Sequence, residues 1–476
     1  MNNKILIRNG YVISMDSAVG DLPKGDVLVE NDRIAAVAPS IEADGAEVID
    51  AAGHIVMPGL INAHIHTWQS ALRGIGGDWA GSDYFNTMHS TLAPRFTPED
   101  THIATLMGAL AQIDAGVTTI FDWCHNNKTP AHSDAAIDAL FESGIRAVFG
   151  HGTVKAKEKP GEPHFSQVPH PVGEIERLRR ERFSSDDALV TLAMAILGPD
   201  YSTLEVCRQD MRAARELGLL STCHVWGRPN RLVEGGYRTI DAEGLLGPDH
   251  NLVHGNYIGD EELRVIVDSG ASVTSTAQVE LTFHVEPPLS GRVWRMGGAP
   301  SIGIDSEVAA RGDMFSVMRS ALLGQRLFDN QETVRRIREG DAAGTAHVRQ
   351  NLKIIGTGGS PIPEVSVPTR EVLNWAIPNN AKAMRLDGRI GSLTPGKQAD
   401  LILIRRDNLH MMSAQDPVDA VVYYGQSNDV RTVMIAGRTV KKDGALLFDG
   451  IEDGHRKLLA SAARLLEGTR ALKRAS

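Results

Sequence analysis

Apolar and polar residues alternate in short runs at both ends of the chain. Several such runs lie between residues 4 and 56, separated by turn residues, and two more follow at residues 391–404 and 430–440. Alternation with a period of two is typical of β-strands that bury one face. Because neither end can bury much of a core by itself, we predict that residues 1–57 and 387–476 join into one composite β-sandwich domain.

The middle of the chain has a different pattern, in which short apolar runs alternate with longer helical segments. This alternation predicts an α/β fold with a (β/α)8 barrel over residues 58–386. Residues 330–368 are charged and then contain glycine and proline, which predicts a helix and a loop near the barrel mouth. The predicted helices include residues 100–115, 134–143 and 202–217, and the predicted strands are residues 55–61, 116–122, 145–150, 189–193, 219–224, 252–254, 271–274 and 300–305.

Composition limits the partners and the compartment that we expect. The chain has 476 residues, of which 42% are hydrophobic, and a net charge of −10. It can bury a large core, but it lacks the basic charge that would attract nucleic acid or anionic lipid. We therefore expect a small-molecule substrate, no nucleic-acid partner and no membrane partner. The cysteines lack disulfide or zinc-finger spacing, and we see neither a signal-peptide core nor a membrane-spanning run, so we expect a cytoplasmic protein.

The triplet His64-Ile65-His66 follows the apolar run at residues 55–61. Residues two apart on a strand point to the same face, so both imidazoles can reach one ion. Imidazole nitrogen suits divalent zinc, iron, cobalt or nickel, and a catalytic metal site usually has about three protein ligands and a water. The triplet alone is a weak signal. The missing ligands must come from elsewhere in the chain.

Three further polar residues each end a predicted barrel strand, namely His224, His254 and Asp305. In a parallel barrel the carboxyl ends of all strands meet at one mouth, where the chemistry of such barrels is found. A lone histidine or aspartate at a strand end is more often a buried polar group that its neighbours satisfy. The joint pattern favours a metal site at the barrel mouth.

Two segments resemble motifs of the amidohydrolase superfamily, in its cytosine deaminase and chlorotriazine hydrolase-like branch. Residues 57–66 are similar to the first-strand motif, and residues 391–404 are similar to the motif that leaves the barrel. The resemblance covers nearly the whole chain, and within the branch it is nearest to hydrolases of phenylurea and thiocarbamate herbicides. It implies a distorted barrel, a homodimer or larger homo-oligomer, and one divalent ion, first of all zinc, with iron, cobalt or manganese as alternatives. The implied metal ligands are His64, His66, His224 and Asp305.

The resemblance also implies roles for two residues in catalysis. A divalent ion lowers the pKa of bound water to about 7 and so supplies a nucleophile at neutral pH. Asp305 would accept the proton of that water and pass it to the leaving nitrogen. His254 would lie beside the water and donate a hydrogen bond to the substrate oxygen or the developing oxyanion. No lysine occurs on the predicted fourth strand, so we expect a mononuclear site.

The chain departs from the branch at Gly227. Ring deaminases of this branch usually carry a glutamate three residues after the fifth-strand histidine, and here Gly227 follows His224 at that spacing. Cleavage of an exocyclic amide, urea or carbamate can proceed without that acid. We therefore expect a metal-dependent hydrolase of a non-peptide C–N bond in a small, largely apolar or aromatic substrate. The alternative is an aminohydrolase or dechlorinase of a nitrogen heterocycle of the pyrimidine, purine, pterin or triazine type. A binding protein that kept only the barrel is disfavoured by the complete ligand set.

Several residues near the strand ends are candidates for proton transfer or substrate contact. Glu280 could replace the missing acid or bind a substrate N–H group, or it could simply form a salt bridge in a loop. Aromatic side chains next to the expected site favour a flat substrate, although aromatic residues more often serve in packing. The predicted substrate contacts are Gln69, Trp68, Tyr84, Trp123, His151 and Trp226, with His125 and His284 as lesser candidates.

Overall fold

The terminal segments of the chain form one mixed β-sheet. We obtained a computed structural model that describes residues 4–155, 160–228, 231–340 and 365–469. The strands of this sheet are β1 Lys4–Ile13, β2 Asp21–Glu30, β3 Arg33–Ala38, β4 Glu47–Asp50, β5 His54–Pro58, β14 Leu401–Arg405, β15 Val430–Ile435, β16 Arg438–Lys442 and β17 Ala445–Leu446, numbered in chain order. Within the described residues, these nine strands have the order β17-β16-β15-β14-β5-β1-β2-β3, with β4 paired to β1.

The pairing of β5 with β14 joins the two ends of the chain. These strands run antiparallel, with Met57 opposite Ile402 and Val56 opposite Leu403. Both strands are buried along almost their whole length, as expected for apolar runs at the centre of a sheet. The structure thus confirms that a composite β-structure of both termini lies beside the barrel.

The central strands form a parallel sheet of eight strands that closes into a barrel. Each strand pairs in parallel with the next along the chain. The strands are β6 Leu60–Ile65, β7 Val117–Cys124, β8 Arg146–Gly152, β9 Val190–Ala195, β10 Leu220–Val225, β11 His250–His254, β12 Ser272–Ser275 and β13 Ser301–Ile302. These positions agree with seven of the predicted strands, and the barrel fold is confirmed.

Barrel closure occurs through the residues that follow β13. The backbone N–H groups of Ile304 and Asp305 donate to the carbonyl of His64 at 3.0 and 2.9 Å, and the N–H of His66 donates to the carbonyl of Asp305 at 2.9 Å. The side chain of Asn380 spans the same seam and donates to the carbonyls of Ile61 and Ile302. The closure places Asp305 beside both histidines of the triplet.

Helices cover the outside of the barrel and connect its strands. The helix Met314–Arg338 includes the first part of the segment predicted as helix and loop, and residues 341–364 lie outside the described residues. Within the described ranges, no helix combines the length and apolarity needed to cross a bilayer. The α-helices are Gly81–Tyr84, Pro98–Asp114, Pro130–Ser143, Val172–Glu181, Gly198–Tyr201, Leu204–Glu216, Gly236–Ala242, Asp260–Asp268, Ala277–Phe283, Ser290–Arg295, Met314–Arg338, Thr369–Ala376, Pro378–Ala383, Pro417–Asp419 and Ile451–Leu465.

The apolar run predicted as one strand at residues 55–61 is two strands in the structure. β5 belongs to the composite sheet and β6 to the barrel, and the chain passes between the sheets at Gly59. A Cβ atom on Gly59 would lie 2.1 Å from the side chain of Thr118, so the close approach of β7 requires glycine there. An apolar run that is buried on all sides carries no sequence signal for such a break.

A buried ion pair connects the barrel to the composite sheet. Arg146, the first residue of β8, donates to Asp400 from Nε at 2.6 Å and from Nη2 at 3.0 Å. Asp400 Oδ1 also accepts the backbone N–H of Ala436 at 2.7 Å. Because this bidentate pair is almost fully buried, its geometry fixes how β8 meets the chain just before β14.

Candidate metal centre and substrate cavity

Five side chains meet at the carboxyl ends of the barrel strands. His64 Nε2 lies 3.3 Å from His224 Nε2 and 3.4 Å from Asp305 Oδ1. His66 Nε2 lies 3.2 Å from the same aspartate oxygen, and His254 Nε2 lies 3.9 Å from Asp305 Oδ2. One ligand atom each from His64, His224, His254 and Asp305 can be chosen so that all lie within 4.8 Å of one another. The barrel thus brings together every residue predicted at the metal site.

Burial sets the protonation states that a metal needs. It lowers the pKa of His64 to about 3 and holds the pKa of His224 well below its usual range. Burial alone would raise the pKa of Asp305, but the contacts with His64 and His66 hold that pKa well below its usual range. Neutral imidazoles and an ionised carboxylate are the forms that coordinate divalent ions. The donor set therefore fits a divalent metal at neutral pH.

His66 is held in one orientation by contacts outside the cluster. Its Nδ1 donates to the backbone carbonyl of Trp123 at 2.6 Å. Since a carbonyl can only accept, Nδ1 carries the proton and Nε2 presents its lone pair toward Asp305. The ring of His125 stacks on that of His66, with centroids 4.2 Å apart. A second hydrogen bond of this kind is typical of a metal-binding histidine.

His254 is clamped between Glu280 and Trp226. Glu280 is fully buried, and its Oε1 accepts from His254 Nδ1 at 3.1 Å and from the backbone N–H of Thr276 at 2.8 Å. The indole of Trp226 stacks on the imidazole, with centroids 4.8 Å apart and planes 7° apart. With Nδ1 donating to the carboxylate, Nε2 is the nitrogen that faces Asp305.

Two residues of the cluster have a backbone conformation that residues other than glycine rarely adopt. His254 has φ 72° and Asp305 has φ 73°, which is the left-handed region. Such conformations cost of order 1–3 kcal/mol each and concentrate at functional sites. At Asp305 the closing hydrogen bonds of the barrel hold the backbone in this conformation.

A cavity of about 600 Å³ extends outward from the cluster. His66, His224, His254 and Asp305 form its inner end, and aromatic side chains form much of its walls. This volume and this lining suit a flat small molecule. The aromatic and imidazole wall residues include Tyr84, Phe85, His89, His125, Tyr201, Trp226, Phe283 and His284.

Two of the six predicted substrate contacts, Tyr84 and Trp226, line this cavity. Gln69 is fully buried behind Tyr84 and donates to its hydroxyl at 2.8 Å. Its carbonyl oxygen accepts from the hydroxyl of Ser306. The structure therefore places Gln69 where it orients the tyrosine.

The other three predicted contacts lie behind the cavity wall in the described structure. Trp68 donates from Nε1 to His125 Nδ1 at 3.0 Å, and the ring of Trp123 packs 4.2 Å from that of His224. His151 is buried, and its Nδ1 lies 3.0 Å from His170 Nε2. Trp68 and Trp123 support histidines of the site from the side away from the cavity.

Many of the cavity residues were not predicted from the sequence, among them Lys155, Asp200 and Tyr201. Lys155 follows β8 by three residues, and Asp200 and Tyr201 lie on the short helix after β9. Their positions after strand ends are the one signal that the sequence carries. Loops after strands contain many polar residues, and only the folded loop determines which of them face the cavity.

The turn after His224 cannot hold the glutamate that relatives of the predicted branch carry. Gly227 has φ 73°, and a Cβ atom there would lie 2.6 Å from the backbone nitrogen of Ile258. Asp200 instead binds this turn, since its Oδ2 accepts the N–H groups of Trp226 and Gly227 at 2.8 Å each. The backbone around Gly227 thus agrees with the absence of a glutamate at this position of the sequence.

Comparisons with known proteins agree with this architecture. The profile of the Amidohydrolase family matches residues 55–333 and 347–440. The chain is 25% identical over 450 residues to 5'-deoxyadenosine deaminase of Methanosarcina mazei, covering 92% of this chain and 93% of the relative. It is 25% identical over 448 residues to 5-methylthioadenosine/S-adenosylhomocysteine deaminase of Thermococcus kodakarensis, covering 91% and 93%.

Solved structures share the fold over nearly the whole chain. A triazine hydrolase variant has a TM-score of 0.81 at 18% identity, covering 97% of this chain and 99% of its own. A zinc-bound adenosine deaminase from Xanthomonas campestris has a TM-score of 0.77 at 20% identity, covering 97% and 98%. Atrazine chlorohydrolase from Arthrobacter aurescens, in complex with zinc, has a TM-score of 0.79 at 19% identity, covering 96% and 100%.

Proposed function

The chain belongs to the amidohydrolase family, and from this premise we propose that it is a mononuclear zinc aminohydrolase or dechlorinase of a nitrogen heterocycle. The observation that carries the proposal is the convergence of four imidazoles and the Asp305 carboxylate at the inner end of one aromatic-walled cavity. Hydrolysis of a C–N bond other than a peptide bond is the reaction type of the family and of its named deaminases.

The names of the relatives favour one of the two substrate classes that the sequence left open. The missing glutamate favoured cleavage of an exocyclic amide, urea or carbamate. The relatives of similar length are deaminases of adenosine derivatives, and the structural neighbours include triazine and atrazine hydrolases. These names support the heterocycle alternative better. Rings such as Trp226 and Tyr201 on the cavity wall are suited to stack on a flat heterocycle.

The metal ion, Asp305 and His254 would have separate roles in the reaction. His64, His66, His224 and Asp305 would hold the ion, and zinc, when bound there, supplies Lewis-acid activation of water at neutral pH. Asp305 takes the proton that the attacking water loses, since its carboxylate is the base at the centre of the cluster. His254 donates from Nδ1 to Glu280, which directs Nε2 at the attacked ring, and when Nε2 also holds a proton it donates to the developing charge there.

Cleavage of an amide, urea or carbamate is the second candidate function. The observation in its favour is the turn at Gly227, which leaves no room for the acid that ring deamination usually employs. An exocyclic C–N bond needs a proton only on its leaving nitrogen, and Asp305 can return to that nitrogen the proton it took from water.

Product analysis with zinc-loaded enzyme tests the proposal. The substrates are 5'-deoxyadenosine, 5'-methylthioadenosine, aminopyrimidines, aminopterins and amino- or chlorotriazines, set against aryl amides, ureas and carbamates. We expect ammonia or chloride, together with a hydroxylated intact ring. The variant Asp305→Asn, assayed at saturating zinc, should lose about 10²- to 10⁴-fold in kcat. Release of an amine with a carboxylate or carbon dioxide would instead establish the second candidate.

A further inference from the structure

A lysine lies on the cavity wall with an aromatic ring as its main contact. Lys155 Nζ is 3.6 Å from the centroid of the Tyr201 ring and 5.9 Å from that of Phe85. All three residues line the cavity. Within the described parts of the chain, Lys155 has no carboxylate within 4.0 Å. The lysine therefore presents a positive charge to the space that a substrate would fill.

Most of the other charged groups of the cavity have partners in the protein. Arg231 contacts Glu262 at 2.5 Å through Nη2, while its Nη1 lies 3.9 Å from Asp200 Oδ1 and has no hydrogen-bond partner among the described residues. Asp200 accepts two backbone N–H groups at the turn after His224. Asp305 belongs to the metal cluster. Arg228 packs over aromatic rings at the exposed rim, so it can add positive potential at the cavity entrance but is not enclosed.

The surroundings of Lys155 are unfavourable for a charge without a partner. Burial lowers the pKa of the lysine to about 8, and the negative charge of Asp200 offsets part of that effect. The group is therefore still mostly protonated at pH 7. Removing the ammonium group from water costs free energy. A contact with an aromatic ring offsets less of that cost than a nearby anion does. An anionic ligand group beside the ammonium would remove the penalty.

We propose that Lys155 binds an anionic group, of the carboxylate type, at the end of the substrate that does not react. The reacting ring would lie between the aromatic walls, with its attacked carbon toward Asp305 and its anionic substituent toward Lys155. This inference rests on the proposed function, since it takes a flat heterocycle as the substrate. It adds a substrate class, namely heterocycles that carry an acidic substituent.

Matched pairs of ligands test the inference without turnover. One pair is 4-hydroxypyrimidine-5-carboxylate and its carboxamide, and the second is hypoxanthine with an acetate or an acetamide at N9. Calorimetry measures their binding to zinc-loaded wild type, Lys155→Met and Lys155→Arg. We expect wild type to bind at least one carboxylate about 10- to 100-fold more tightly than its amide, the gain of one charge-assisted contact. Lys155→Met should abolish that preference, and Lys155→Arg should keep most of it.

Lys457→Met is the matched control for loss of a lysine charge. Lys457 is exposed on the helix Ile451–Leu465 and pairs with Asp453 at 2.7 Å. This variant should bind all four ligands as wild type does. The carboxylate preference of wild type should also weaken as ionic strength rises.

Three outcomes overturn the inference. Wild type could bind neither pair, it could bind both members of each pair equally, or Lys155→Met could weaken the carboxylate and the carboxamide to the same extent. The last result would mean that Lys155 shapes the cavity or acts in proton transfer. The assay of the proposed function is separate. Absence of ammonia release from the corresponding amino compounds would refute aminohydrolysis. The binding preference would still show whether Lys155 binds an anionic group.

Discussion

At the level of single residues, His66 and His254 compete for the place of the fourth metal ligand. Both present Nε2 toward Asp305, at 3.2 and 3.9 Å. Their other nitrogens differ in partner, because His66 donates to a backbone carbonyl and His254 donates to the carboxylate of Glu280. The four ligand atoms within 4.8 Å of one another come from His64, His224, His254 and Asp305, which favours His254. We nevertheless propose that His66 binds the metal and His254 the substrate, because His66 lies nearer to Asp305.

Metal content separates these roles. We expect His66→Ala to weaken zinc binding by more than about 100-fold, because it removes a ligand outright, whereas loss of an outer-shell partner costs about 10- to 100-fold. His254→Ala should retain about one zinc per chain and lose turnover. Competition with a chelator followed by metal analysis measures both. Equal zinc loss in the two variants would place His254 among the ligands.

Glu280 is a positioning residue in this structure, since its side chain contacts His254 and both the backbone N–H and the hydroxyl of Thr276. Its side chain is fully buried and, among the described residues, lies behind the cavity lining. The sequence left open whether it moves protons, binds a substrate N–H group or forms a salt bridge. The hydrogen bond to His254 Nδ1 favours a fourth role, which is to fix the tautomer and the ring orientation of that histidine.

Substitutions at Glu280 should therefore affect kcat more than KM. We expect Glu280→Ala to lower kcat about 10- to 100-fold with little change in KM. Glu280→Gln should retain more activity, because its amide oxygen can still accept from Nδ1. Glu286→Gln, an exposed neighbour in the same region, is the control. Steady-state kinetics measure the effect, and a rise in KM alone would instead indicate direct substrate contact.

At the level of elements, the strand ends position the residues of the metal site, and the turns that follow them determine which side chains fit beside it. The turn at Gly227 combines a left-handed backbone with a close approach to Ile258, so two separate constraints require glycine. Gly218, which ends the connection before β10, has φ 69°, and a Cβ atom there would meet nothing within 4 Å. The two glycines thus share the backbone constraint and differ in the space around them.

The pair Gly227→Ala and Gly218→Ala isolates the cost of the close approach. We expect Gly218→Ala to lower the free energy of unfolding by about 1 kcal/mol, from the backbone conformation alone. Gly227→Ala should cost about 1–3 kcal/mol more, because the backbone of Ile258 must move. Urea unfolding of the two variants and wild type measures the difference. Equal costs would show that the turn can relax.

At the level of the whole molecule, the composite sheet and the barrel share one continuous apolar cluster. It includes Ile55, Met57 and Ile402 of the sheet together with Leu60 and Val117 of the barrel. The ion pair between Arg146 and Asp400 adds a polar contact in the same region. We therefore expect the two parts to unfold together. The homo-oligomer implied by the family resemblance stays a prediction, which light scattering can test.

Buried histidines outside the metal site should make global stability depend on pH. Burial lowers the pKa of His250 to about 4, against about 6.5 in the unfolded chain. The unfolded state therefore binds the proton first as pH falls, and stability is lost between pH 6.5 and pH 4. Asp122 and Asp210 act in the opposite direction, because burial raises the pKa of these groups to about 6 and about 7.

A difference measurement isolates the contribution of His250. Relative to wild type, His250→Asn should gain about 2 kcal/mol of stability between pH 7 and pH 5, because the variant has no imidazole to protonate on unfolding. Urea unfolding of metal-free protein at the two pH values measures this. His455→Gln, at an exposed position, should show no such change. A difference that is constant with pH would mean that His250 takes up its proton over the same pH range in the folded and the unfolded chain.

Much of the fold could be predicted from sequence because strand and helix periodicity is local. The runs that become β7 to β13 agree with the predicted strands to within a few residues, whereas the junction at Gly59 escapes prediction because a fully buried apolar run has no period to break. The helix Ile451–Leu465 was also not anticipated. It packs on the helix Pro98–Asp114, with Ser461 donating to Asp100 at 2.7 Å, a contact across 361 positions.

The sequence by itself determined which residues can form the metal site. Strand-end positions are local, and a parallel barrel brings all of its strand ends to one mouth, so His64, His66, His224, His254 and Asp305 can be grouped from the chain alone. Only the tertiary structure decided what surrounds them. These surroundings come from loop residues that are far apart in the chain. Ile258 excludes a side chain at Gly227, Glu280 orients His254, and Lys155 reaches the cavity. Such contacts depend on how loops pack, which no local pattern encodes.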